Sequence, residues 1–104
     1  MMGLRSYRNA TTEFRMVHAV VLIESEPEKQ NGLAEQIAEI DGISAVFSVA
    51  GRYDLVANLR VRDNQDVADI VSAKVRALDG ILRTETLIAF RVYSREDVEG
   101  IFAP

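Results

Sequence analysis

The chain contains no cysteine and no tryptophan, and only one histidine and two prolines in 104 residues. Without cysteine there is no disulfide, no thiol nucleophile and no thiolate metal site. One imidazole cannot build a multi-histidine metal centre, and no cofactor is expected. No apolar run approaches the roughly 20 residues that span a bilayer, and the N-terminus lacks the apolar central region of a signal peptide. The expectation is a soluble, cytoplasmic protein with no membrane association. A net charge of −4 and a pI of about 4.9 argue against a stand-alone nucleic-acid binder, which presents a basic face.

What is present is apolar. Hydrophobic residues make up 48% of the chain, so it is not a disordered one. Its length suits one compact domain with a modest core. Residues 1–15 stand apart: Arg5, Arg8 and Arg15 face a single acid, Glu13, among Ser6, Asn9, Thr11 and Thr12, without periodicity. This stretch is expected to be a flexible arm, or an extension upstream of a start at Met16. Three arginines support a nucleic-acid contact only weakly. Residues 16–104 are expected to form one domain with a short C-terminal tail.

From Met16 the pattern becomes regular. Residues 16–24 are apolar at both alternating positions, as in a strand buried on both sides. Ser25-Glu26-Pro27-Glu28 predicts a helix start, with Ser25 as cap, Glu28 three residues later and proline in the first turn. Leu33, Ile37 and Ile40 form that helix's apolar stripe, with Ala34 and Ala38 beside it, and Asp41-Gly42 ends it. Residues 43–49 alternate as a second strand and residues 54–62 as a third. Asp63-Asn64 opens a second helix with the stripe Val67, Ile70, Val71, Val75 and Leu78, closed by Asp79-Gly80. Residues 81–93 read as a long last strand, with Thr84, Thr86, Ile88, Phe90 and Val92 on one face and Leu87, Ala89 and Tyr93 on the other. The tail 94–102 is expected to hold one short capped turn of helix.

The chain repeats itself. Ile37-Ala38-Glu39-Ile40-Asp41-Gly42-Ile43 matches Val75-Arg76-Ala77-Leu78-Asp79-Gly80-Ile81 at an offset of 38 residues. Two β-α-β units predict an α+β, ferredoxin-like βαββαβ fold, its helices on one face of an antiparallel sheet and its first and third strands central. One sheet face is then uncovered, although the first strand is apolar on both. An exposed apolar patch of that kind marks an interface. The expectation is a homodimer with sheets packed face to face and the last strand reaching across.

Between the second and third strands lies Val49-Ala50-Gly51-Arg52-Tyr53-Asp54-Leu55. Gly51 marks a sharp reversal whose exposed N–H groups suit a carboxylate. Tyr53 offers a wall and Asp54 an acceptor for an amino group; the plain alternatives are a hairpin glycine, a packing aromatic and a turn cap. This segment, followed by Asp79-Gly80-Ile81-Leu82-Arg83-Thr84-Glu85-Thr86, resembles the effector-binding domain of Lrp/AsnC transcription regulators. The resemblance covers residues 16–93. It implies a dimeric αβ-barrel, dimers that assemble further, and amino-acid effectors held where dimers meet. It also implies that the last strand lines the effector site, adding Thr84, Thr86 and Ile88 to the candidates, with Ser48, at the end of the second strand, a further one. Leu87 would add apolar wall, and Arg52 and Arg83 are expected to be solvated or paired with a neighbouring subunit. Full-length relatives carry a helix-turn-helix domain for which 15 preceding residues are too few. A stand-alone effector domain without direct DNA binding is expected, with full-length Lrp/AsnC regulators as possible partners. His18, on the strand face of Val20 and Leu22, is the basis of an enzyme alternative. Pattern places no second titratable group beside it, so a non-enzymatic binding module is the leading expectation.

Overall fold

The computed structural model describes residues 16–93. The expected N-terminal arm and the helical turn in the tail lie outside the described residues. The elements run β1 (Val17–Ser25), α1 (a 3-10 turn, Pro27–Lys29, continuing as α-helix Gln30–Ala38), β2 (Ile43–Ser48), β3 (Leu55–Val61), α2 (Asn64–Asp69, continuing as π-helix Ile70–Val75) and β4 (Ile81–Ile88). The four strands form one antiparallel sheet in the order β2-β3-β1-β4, so β1 and β3 are central as the repeat requires. The fold is the ferredoxin-like βαββαβ arrangement.

Alternation along the strands decides what the helices cover. Ala19, Val21 and Ile23 of β1 and Leu55, Ala57, Leu59 and Val61 of β3 are buried against Leu33 and Ile37 of α1 and Val67, Ile70 and Val75 of α2. Fully burying each larger aliphatic side chain contributes about 1.5–3 kcal/mol. The other sheet face stays open. Register sets Phe47 beside Val56 and Val56 beside Leu22, and it sets Val20 between Asn58 and Leu87. Phe47 and Leu87 are each 49% exposed. The uncovered apolar face expected from β1 is therefore present.

The repeat has a physical reason. Gly42 and Gly80 both adopt positive φ, 99° and 103°. A Cβ on Gly42 would lie 2.6 Å from Ile70 Cδ1, and one on Gly80 would lie 2.8 Å from Lys29 Cδ and 3.1 Å from Leu33 Cδ1. Each glycine thus backs onto the helix of the other half.

Four local expectations are corrected. Ser25 does not cap α1: the residue at the cap is Glu26, with no side-chain cap bond, and Ser25 is buried as the last residue of β1 with its hydroxyl unpaired. Its backbone N–H is held elsewhere, as described below. The second cap holds, since the Asp63 carboxylate accepts from Asp66 N–H at 3.0 Å. However, α2 widens after Asp69, where Arg76 N–H donates to Val71 C=O, five residues back, at 2.9 Å. The wider turn lets Ile70 and Val75, five apart, both face the core. Strand β2 ends at Ser48, one residue earlier than the sequence pattern suggests, and β3 runs from Leu55 to Val61, one residue shorter at each end. Finally, β4 ends at Ile88, and among the described residues 89–93 have no strand partner, apart from the Ala89 N–H bond to His18 C=O at 2.8 Å.

Candidate functional site

The turn between β2 and β3 is closed by Val49 N–H donating to Asp54 C=O at 3.0 Å. Gly51, at its tip, has φ of 148°, in a region suited to glycine, and open space surrounds it. No backbone hydrogen bond among the described residues uses the N–H of Ala50, Gly51, Arg52 or Tyr53. Among the described residues those four donors have no backbone acceptor.

Asp54 anchors this turn to the rest of the molecule. Its Oδ2 accepts from Ser25 N–H at 2.9 Å, and its own N–H donates to Ile23 C=O at 2.8 Å. Gln30 Nε2, in the first turn of α1's α-helical part, donates to Ser48 Oγ at 2.9 Å and to Asp54 C=O at 3.4 Å. Ser48, Asp54 and Gln30 therefore join β2, β1 and α1 at one corner of the sheet. Asp54 has a structural role through Oδ2, as the turn-cap alternative anticipates, and its second carboxylate oxygen has no hydrogen bond among these.

Tyr53 leaves the turn toward the open sheet face and reaches over the end of β1 to β4. Its hydroxyl donates to Glu85 Oε1 at 2.6 Å and accepts from Arg83 Nη2 at 2.9 Å. The Arg83 guanidinium carbon lies 5.4 Å from the ring centroid and that of Arg52 6.0 Å away, both within cation–π range. Arg83 Nε is also 3.7 Å from Glu24 Oε1. Arg83 thus pairs within its own chain and is not simply solvated.

Thr84, Thr86 and Ile88 lie on the opposite, helix-bearing face, opposite Ile23, Val21 and Ala19 of β1. Thr86 and Ile88 border a groove of about 420 Å³ against Val67, Ala68, Val71 and Ser72 of α2. Thr84 lines a separate depression with Arg76, Ile81 and Arg83. The seven candidate residues therefore fall into two sets: Ser48, Gly51, Tyr53 and Asp54 around the turn, and Thr84, Thr86 and Ile88 across the sheet. They do not converge within one chain.

Sequence reasoning passed over Gln30, Glu24 and Glu85. Period two along β4 puts Arg83, Glu85 and Leu87 on the face opposite Thr84 and Thr86, and that signal was available. The pairing of Arg83 with Glu24 depends on the register of strands far apart in sequence. His18 is half-buried on the open face, level with Arg60 across the sheet. Among the described residues no three His, Asp or Glu side chains stand close enough to hold a metal ion. No helix there is long and apolar enough to cross a membrane.

Comparison with known proteins agrees with this architecture. Residues 18–98 match the family model of the Lrp/AsnC ligand binding domain. An uncharacterised HTH-type transcriptional regulator of Pyrococcus furiosus is 36% identical over 81 residues, 75% of this chain and 54% of the relative. The chain thus spans about half the length of the curated relatives it matches. The crystal structure of TTHA0845 from Thermus thermophilus superposes with a TM-score of 0.72 at 43% identity, covering 76% of this chain and 99% of that one. The feast or famine regulatory protein of M. tuberculosis, complexed with L-methionine, shares the fold at a TM-score of 0.65 and 23% identity, covering 76% of this chain and 54% of that one. With sequence pattern, topology and family model in agreement, the chain belongs to the Lrp/AsnC ligand-binding domain family.

Proposed function

We propose that this chain is an effector-binding and oligomerisation module of transcriptional regulation, taking an amino acid or similar small metabolite between subunits. The observation that carries the reading is the turn at residues 49–54. Among the described residues its four N–H groups of Ala50–Tyr53 have no backbone acceptor, and Asp54 ties the turn to Ser25 and Gln30. These N–H groups suit a ligand carboxylate, and the second oxygen of Asp54 suits an ammonium group. Tyr53 supplies a wall held in place by Arg83 and Glu85. The L-methionine in the M. tuberculosis protein's crystal structure supports an amino acid as ligand class.

A neighbouring subunit completes the site in this reading. Thr84, Thr86 and Ile88 are too far around the sheet to join the turn of their own chain, but suit the role of a second wall from another copy. The apolar open face, with Leu22, Val56, Phe47 and Leu87, supports a homodimer packed sheet to sheet. Ligand that favours one assembly over another then shifts the equilibrium between them. The relatives are named as regulators, which supports a module that acts by binding.

Native mass spectrometry with thermal shift across the twenty amino acids tests the proposal. At least one is expected to raise the melting temperature and to appear bound to the oligomer. An Asp54→Ala protein that still folds and binds that ligand unchanged would remove the assigned role of Asp54. A second reading is favoured by the match to half of longer HTH-type regulators: the same open face could pair with such a regulator and tune its DNA binding. Co-purification of a helix-turn-helix regulator from the native host separates the two.

A further inference from the structure

Gln30 joins α1 to both ends of the turn at residues 49–54. It stands where the 3-10 turn of α1 passes into α-helix, its backbone N–H donating to Pro27 C=O, and it is half-buried. Its Nε2 carries two hydrogens and directs one to each end of the turn: to Ser48 Oγ at 2.9 Å and to Asp54 C=O at 3.4 Å. A carbonyl oxygen only accepts, so the contact with Asp54 fixes which end of the amide faces the turn. Val49 N–H holds the same carbonyl at 3.0 Å, so the turn does not depend on Gln30 for its closure. The bond to Ser48 has a directional consequence. Ser48 Oγ accepts from Gln30, so its own hydrogen points away from Gln30. Among the described residues that hydroxyl donates to no protein acceptor. Ser48 is exposed at the end of β2, two residues before Ala50, the first of the N–H groups without a backbone acceptor.

We propose that Gln30 is a positioning residue of the effector site: by donating to Ser48 it turns the serine hydroxyl outward, as a hydrogen-bond donor to the carboxylate of a bound amino acid. This role rests on the reading of the turn as an effector site. An unconstrained serine hydroxyl rotates among staggered positions and donates or accepts as its surroundings allow. With a lone pair of Ser48 held by Gln30, the hydrogen is left to the side facing the turn. The Ser48 O–H then joins the N–H groups of Ala50–Tyr53 as a donor to one anion, and a bond from a hydroxyl to a carboxylate is stronger than one to a neutral acceptor. Gln30 is itself half-buried and held at two points, so the hydroxyl is oriented before the amino acid arrives, which lowers the ordering cost of binding. Gln30 acts here through Ser48 and not by touching the amino acid.

A double-mutant cycle tests it. Each of the twenty L-amino acids is titrated into wild type, Ser48→Ala, Gln30→Met and the double variant, with affinity read by isothermal titration calorimetry. Gln30→Met keeps the length of the side chain and removes both donors without adding charge; urea unfolding checks that each variant is folded. For any amino acid that wild type binds, Ser48→Ala is expected to weaken binding about tenfold, the worth of one hydrogen bond to a charged group. Gln30→Met is expected to weaken it about threefold, since the released hydroxyl spreads over three staggered positions. The double variant is expected to bind as Ser48→Ala does, because the hydroxyl through which Gln30 acts is gone. Losses that multiply in the double variant mark a structural role for Gln30 in the turn and overturn the proposal, as does unchanged binding in Gln30→Met or in the exposed Ser48→Ala. If wild type binds an amino acid and the single variants bind it equally well, this role falls and the effector reading stands. If wild type binds none of the twenty, both fall.

Discussion

The carboxylate of Asp54 accepts a hydrogen bond from the backbone N–H of Ser25 at 2.9 Å, tying the β2–β3 turn to the end of β1. Ser25 is only 3% exposed, so its N–H has no easy recourse to water. Asp54→Ala is expected to destabilise the fold by about 1–3 kcal/mol, the cost of an orphaned buried donor. Asp54→Asn keeps a carbonyl acceptor and is expected to recover most of that loss. Urea unfolding of the two variants measures the difference.

The positive-φ glycines Gly42, Gly51 and Gly80 are expected to respond unequally to alanine. At Gly42 the new Cβ would overlap Ile70 and Val61, and at Gly80 it would overlap Lys29, while Gly51 has open space. Gly42→Ala combines the φ penalty with a steric one, and a loss of about 2 kcal/mol or more is expected. Gly51→Ala carries the backbone penalty alone, about 1 kcal/mol. Chemical denaturation of the three variants ranks them, and Gly51→Ala should be the mildest.

Lys29 donates to the Asp79 carboxylate, linking the start of α1 to the α2–β4 turn. That hydrogen bond raises the Lys29 pKa above its ordinary value of 10.5, against a smaller opposing effect of desolvation, with Asp79, Glu26 and Glu28 also attracting the charge. A raised folded-state pKa contributes stability that is fully present below 10.5 and is lost as pH rises through the folded value. Wild type is therefore expected to lose more stability than Lys29→Met between pH 10 and pH 12, and the two should run parallel below about pH 9. The pair is exposed, so the gap is expected to be small. Thermal melts across alkaline pH measure it.

Leu22 lies on the open sheet face between Val56 and Glu85. Leu22→Glu places a charge in the apolar area assigned to the sheet-to-sheet contact. It is expected to lower the assembly mass at micromolar concentration without loss of secondary structure. Light scattering paired with circular dichroism checks both halves of that statement.

Much of the fold was legible because it rests on local pattern. The two apolar faces of β1 and the paired Asp-Gly signals at Gly42 and Gly80 carried the topology. Ser25 was misleading because its sequence suits a cap, while a residue 29 positions away claims its N–H. The widening of α2 was hidden because a stripe of Val67, Ile70, Val71 and Val75 fits either helix type. At the site, the turn chemistry was visible, but its division was not. Thr84 and Thr86 sit on the helix-bearing face while Arg83 and Glu85 meet Tyr53 on the other. That contact depends on how β4 registers on β1, which no local pattern encodes.

The central claim is that a free amino acid binds at the turn of residues 49–54 between copies of the chain. Native mass spectrometry of the wild-type protein titrated with each of the twenty amino acids tests this most directly. The account predicts that at least one amino acid appears bound to the oligomeric species, and that Asp54→Asn weakens its binding. Binding of none of the twenty, or binding in equal measure to the isolated monomer, would contradict it.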